Sequence, residues 1–230
     1  MKTIAAITLF LAIAFVARAE EDGLEFHEAP PVVRTAQGWM PEALADVFSR
    51  LPDAERHRDP LDPTDIVTWT HEGTHGVSAL GQNTHRKGDR HTIYVLDGKC
   101  ITLRHPSVKL SDVAKEIGRE DREGRAASMF KNYLVDQRQY WNDQPIYLIE
   151  EWVGYTNGAI VRAQAGLEQR ADTVWRAETM ERYCRAMAKL ARKMDPEYGD
   201  RINLDRFIEW NSRRFERSQD TPWSEVNKPR

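Results

Sequence analysis

Only two cysteines, Cys100 and Cys184, occur in 230 residues. So few exclude a disulfide-framework fold and a cysteine-rich zinc module. They leave open one disulfide or two separate buried thiols. Long apolar runs are as scarce. The longest, Ile4 to Val16, spans 13 residues, short of the roughly 20 that a membrane helix needs, and nothing else in the chain approaches it. That excludes a multi-span membrane protein. An excess of positive charge is also missing: 33 Lys and Arg face 36 Asp and Glu, a formal charge of −3. The chain therefore has no electrostatic footprint for nucleic acid. A charged fraction of 30% and a mean hydropathy of −0.66 are hydrophilic, yet seven Trp, seven Tyr and seven Phe argue against wholesale disorder.

The apolar run itself has a recognisable layout. Lys2 precedes it, and Ala17-Arg18-Ala19 ends it with a small residue on either side of Arg18. This is the pattern of a secretory signal peptide over residues 1–19. The expectation is export to the periplasm or the medium, with no membrane span in the mature chain. Residues 20–38, with Pro30-Pro31, read as an extended lead-in; 39–217 read as one domain; 218–230 read as a loose polar tail.

Within the domain, apolar spacing predicts helices over about 41–51, 63–81, 111–117, 121–141, 145–165 and 172–194, and a last one capped by Asn203. Asp62-Pro63 opens the second of these, Pro falling at a first helical position. The clearest β signal is Asp97-Gly98 between Thr92–Leu96 and Lys99–Leu103, a two-residue hairpin turn in which both positions favour positive φ. The fold class expected is α+β, mostly helical.

Inside the second helix stands His71-Glu72-Gly73-Thr74-His75, an H-E-x-x-H motif. On a helix, residues four apart share a face, so both imidazoles can reach one metal ion. Glu72 lies about 100° round and can stand beside a metal-activated water as general base. With 7 His and 19 Glu in the chain, such a motif arises by chance in about 2 of 100 chains; its place in a capped helix gives it more weight. A catalytic zinc needs a third protein ligand. His85, His91 and His105 offer one from the following loop and hairpin. The apolar segment Tyr147-Leu-Ile-Glu-Glu-Trp-Val-Gly-Tyr155 offers another. Its adjacent acids Glu150 and Glu151 are costly to bury unless something pairs them. Glu151 is preferred because it shares a face with Tyr147, Tyr155 and Gly158, and a Tyr one turn away can donate to a developing oxyanion.

These residues resemble the zincin metallopeptidases, specifically the gluzincins, which take two His from H-E-x-x-H and a Glu from a later helix. The resemblance is confined to the motif helix and the Glu150–Gly158 segment. It implies a minimal zincin-like domain holding Zn²⁺ on His71, His75 and Glu151. It also implies catalysis by Glu72 with Tyr155, acting on a peptide or protein substrate, cell-wall peptide included. Three departures stand out. The ligand spacing from His75 to Glu151 is long, Tyr155 replaces the acid often found four residues after the ligand Glu, and no strand is evident before the motif helix. The hairpin follows the motif instead, where its edge can align an extended peptide. The rival reading is a non-catalytic binding or interaction domain that keeps a metal for structure.

Overall fold

The computed structural model describes residues 23–52, 66–84, 88–118, 122, 126–168 and 170–220. The signal-peptide reading, the Asp62-Pro63 cap, His85 and the last ten residues fall outside these. The elements run β1 (His27–Glu28), α1 (Glu42–Arg50), α2 (Ile66–Thr84), β2 (Arg90–Tyr94), β3 (Lys99–Arg104), α3 (Leu110–Glu116), α4 (Ala127–Lys131), a π-helical turn (Asn132–Asp136), α5 (Arg138–Trp141), α6 (Tyr147–Gln164), α7 (Ala171–Met194) and α8 (Arg201–Asp220). The architecture is α+β and mostly helical, with one small antiparallel sheet in the order β1-β3-β2. No helix among the described residues is long and apolar enough to cross a membrane.

Both faces of the sheet are covered, and the two-residue side-chain period of a strand divides it between two cores. Ile93, Val95, Ile101 and Leu103 join the larger core, built with α3 and α6–α8. Tyr94, Leu96 and Cys100 join the smaller one, built with α1 and α2. Helix α6 belongs to both: Trp152 and Ala159 are sealed in the first and Val161 in the second. It is apolar nearly all round, as a central helix must be, so the two acids near its start are deeply buried.

Four expectations are corrected. The hairpin turn is longer than Asp97-Gly98: Tyr94 pairs with Cys100, and Leu96, Asp97 and Gly98 have φ of 71°, 53° and 67°. A leucine at positive φ is unfavourable by itself. The turn is held by α1, where Asp46 accepts hydrogen bonds from Tyr94 Oη and, at 3.2 Å, from the Gly98 N–H. A strand does precede the motif helix: His27 and Glu28 pair with Cys100 and Lys99, a segment too short to carry a periodic signal. The single helix expected over 121–141 is interrupted by the π-helical turn. The last helix starts before Asn203 and runs past residue 217 to Asp220. Cys100 and Cys184 are separate buried thiols.

The outer edge of β2 is also not free for a peptide. Gln82 of α2 accepts from the Thr92 N–H at 2.6 Å and donates to the Arg90 carbonyl at 2.7 Å. Ser78 Oγ accepts from the Tyr94 N–H at 3.0 Å. The motif helix thus occupies the edge that was expected to receive substrate.

Candidate metal centre

Helix α2 lies between α1 and α6, and each motif position faces a different neighbour. Gly73 faces α1, where a Cβ would stand 2.7 Å from Val47 Cγ1. Thr74 faces α6 and accepts a hydrogen bond from Asn157 Nδ2 at 3.1 Å. His71 and His75 share the remaining inward face, and Glu72 is exposed to solvent. Two glycines of α6 make this approach feasible. A Cβ at Gly154 would lie 2.8 Å from His71 Nδ1, and one at Gly158 would lie 3.1 Å from the Val67 carbonyl oxygen.

Three donor atoms converge. His71 Nε2 and His75 Nε2 are 3.1 Å apart. Glu151 Oε2 lies 3.2 Å from the first and 3.6 Å from the second. These are the residues chosen from the sequence, and among the described residues they form a group able to hold a metal ion. A tetrahedral ion with bonds of about 2.0–2.1 Å separates its ligand atoms by about 3.3–3.4 Å. The three separations bracket that value with no movement of the backbone.

Glu150 does a different job. Its Oε1 faces His75 Nδ1 at 2.9 Å, and its Oε2 is bonded to His91 Nε2. A neutral His75 therefore keeps its proton on Nδ1 and directs the Nε2 lone pair at the other donors. His91 touches this carboxylate and not the converging trio. His105 stacks edge-on with His91, ring centroids 5.5 Å apart, and its Nδ1 accepts from the Ile146 N–H at 3.4 Å. His71 lacks such support: its Nδ1 is buried and has no hydrogen-bond partner among the described residues.

The charges answer to one another. Burial alone would pull the His75 imidazolium down, but its hydrogen bond to Glu150 and the negative charges of Glu150 and Glu151 outweigh it and hold His75 well above its ordinary value. Burial alone would raise both acids. The charge of His91 and the hydrogen bonds of His75 and His91 overcome it and bring Glu150 down to about 2. The facing imidazoles of His71 and His75, 3.2 and 3.6 Å away, likewise hold Glu151 far below the carboxylate range. His105 goes the other way, pushed down to about 4 by burial and by its neighbour His91.

Tyr155 packs its ring 4.5 Å from that of His71 and shares a 2.7 Å hydroxyl–hydroxyl hydrogen bond with Tyr133. Tyr147 stands against the acids, its hydroxyl pushed up first by burial and then by the charge of Glu151. Trp141 stacks flat on Tyr147, centroids 5.0 Å apart. Tyr133 escaped the sequence reading. It sits on the π-helical turn, a feature frequent at functional sites, and only the break in helical period hints at it. Glu72 lies where two cavities meet. One, of about 350 Å³, runs past His71, Tyr155 and Tyr133 toward α7. The other, of about 1100 Å³, runs past His75, His91 and Trp141.

Compared with known proteins, the chain matches no family model, no curated protein and no solved structure.

Proposed function

We propose that the chain is an exported zinc-dependent peptidase with a zincin-like catalytic helix. The observation that carries this reading is the convergence of His71 Nε2, His75 Nε2 and Glu151 Oε2 at separations of 3.1, 3.2 and 3.6 Å. Two imidazoles and one carboxylate are a catalytic donor set for zinc and leave a fourth position for water. A zinc ion held by His71, His75 and Glu151 would supply Lewis-acid activation and would lower the pKa of a bound water to about 7.

The chain's own residues do the rest. Glu72, exposed beside the donors, takes the proton of the attacking water and passes it to the leaving amine. Tyr155, next to His71, donates a hydrogen bond to the oxygen that gains charge, and Tyr133 holds its hydroxyl in place. Glu150 orients His75 and keeps it basic. Cavities on both sides of Glu72 suit a substrate that crosses it, as a peptide chain does.

Metal analysis of the purified protein, paired with a peptide-library digest, tests this. About one zinc per chain is expected. Glu72→Gln should retain that zinc while activity falls about 10²–10⁴-fold. Zinc retained by His71→Ala would remove this site, and zinc without any cleavage by wild-type protein would make the metal structural.

A further inference from the structure

We infer that Arg176 receives a substrate carboxylate in the smaller of the two cavities beside the metal centre. The inference rests on the peptidase reading and names the substrate group that the site selects. The cavity is lined by His71, Glu72 and Tyr155 on one side and by Asp172, Thr173 and Arg176 of α7 on the other. Its charged groups are not equivalent. Glu72 is committed to the water. Asp172 already has a partner, Arg170, whose Nε lies 3.2 Å from its carboxylate. Arg176 is exposed, and neither a hydrogen bond nor an ion pair occupies it among the described residues. A guanidinium presents a planar fork that fits a carboxylate with two parallel hydrogen bonds. Arg176 is then the charged group of the lining that has neither a protein partner nor a part in the reaction, and a cation so placed binds an anion.

Size points the same way. About 350 Å³ on this side against about 1100 Å³ on the other gives the reacting bond one short arm and one long arm. The smaller side is at the low end for a ligand pocket, so the charged group it receives belongs to the part of the substrate next to the reacting bond. Two sources supply such a carboxylate within reach of the reacting bond: the C-terminus of a peptide, or the side chain of an acidic residue.

The experiment is calorimetric binding of N-acetylated tripeptides to the Glu72→Gln protein, repeated after the metal is stripped. Three peptides are used: a free-acid terminus with neutral side chains, the same sequence amidated, and an amidated peptide ending in Glu. A tripeptide with a free N-terminus and an amidated C-terminus is the control for ammonium recognition. A carboxylate should bind about tenfold or more tightly than the neutral amide. Arg176→Ala should abolish that preference, and Arg176→Lys should restore part of it. Preference for the free acid alone assigns the C-terminus; preference for the Glu peptide assigns an acidic side chain. Equal affinity for all forms, a preference that survives Arg176→Ala, or tighter binding of the free-amine control overturns the inference. Because the stripped protein is measured too, a failure of the zinc reading shows in the metal analysis and not in this comparison.

Discussion

Charged side chains gather at two helix seams of this molecule, and they behave in opposite ways. At the seam of α7 and α8, Arg185 pairs with Glu181 of its own helix at 2.8 Å and with Glu209 across the seam at 2.6 Å, and Arg192 with Asp205 at 2.6 Å. These groups mostly keep about half their surface in water, and each cation has its own acid. Such pairs contribute little, because hydration and screening offset the Coulomb gain. Between α2 and α6, the side chains of His71, Glu150 and Glu151 are only about 10% exposed. Burying that many ionisable groups costs far more than a fold needs to spend. They persist there because each is bonded to another and three of their atoms point at one spot. Exposed charge between helices is solvated surface, whereas buried charge whose atoms converge makes a candidate site.

The contrast breaks most visibly at the adjacent acids. Glu151→Gln should abolish tight zinc binding, because a charged donor is lost. Glu150→Gln should weaken it only about 10–100-fold, the usual effect of losing an outer partner of a histidine ligand. A competitive zinc titration separates the two, and the reverse order would exchange their roles. Gly154→Ala comes next. Its new Cβ, 2.8 Å from His71 Nδ1, should push the ring off its position and cost about 1–3 kcal/mol of stability, with weaker zinc binding. Denaturant melts and the same titration check it, and unchanged values would show that α6 can retreat.

Acidity sharpens the comparison further in the metal-free protein. His75 is raised above 6.5 on folding, so the stability it contributes is present below pH 6.5 and lost as pH climbs through its raised value. Glu150 is lowered from 4.5 to about 2, so its contribution is present above pH 4.5 and lost as pH falls toward 2. His105 is lowered from 6.5 to about 4; the unfolded chain binds the extra proton, and stability falls between those values as pH drops. Stability should therefore peak near pH 6.5, and zinc, which takes the place of the proton on His75, should remove the alkaline decline. Thermal melts across pH with and without zinc test this; an alkaline limb indifferent to zinc would contradict it. The smallest effect belongs to the outer seam, where Glu209→Gln should change stability by less than about 1 kcal/mol in urea melts.

The motif helix, the hairpin and the shared face that groups Glu151 with Tyr147 and Tyr155 were legible because each depends on residues close in sequence. Helical spacing puts His71 over His75, and it puts Tyr147 and Tyr155 one turn either side of Glu151. Most of the long helices followed for the same reason. Local patterns misled where distant parts intervene. Leu96 takes a positive φ because α1 grips the turn, and β1 forms only because β3 is there to pair with it. The edge of β2 looked open until Gln82 and Ser78 reached it from α2.

By itself the sequence determined which side chains one helix can present together: His71, Glu72 and His75 on α2, Glu150 and Glu151 on α6. Periodicity needs no partner to operate. Only the tertiary structure decided what those side chains meet. Gly154 and Gly158 let α6 come close enough to bring Glu151 to both imidazoles, and β2 delivers His91 to Glu150, which turns that acid away from the converging donors. The different surroundings of Glu150 and Glu151 arise from contacts such as those that tie Glu150 to His91 and His75 across 59 and 75 residues of chain, and no local pattern encodes distances of that kind.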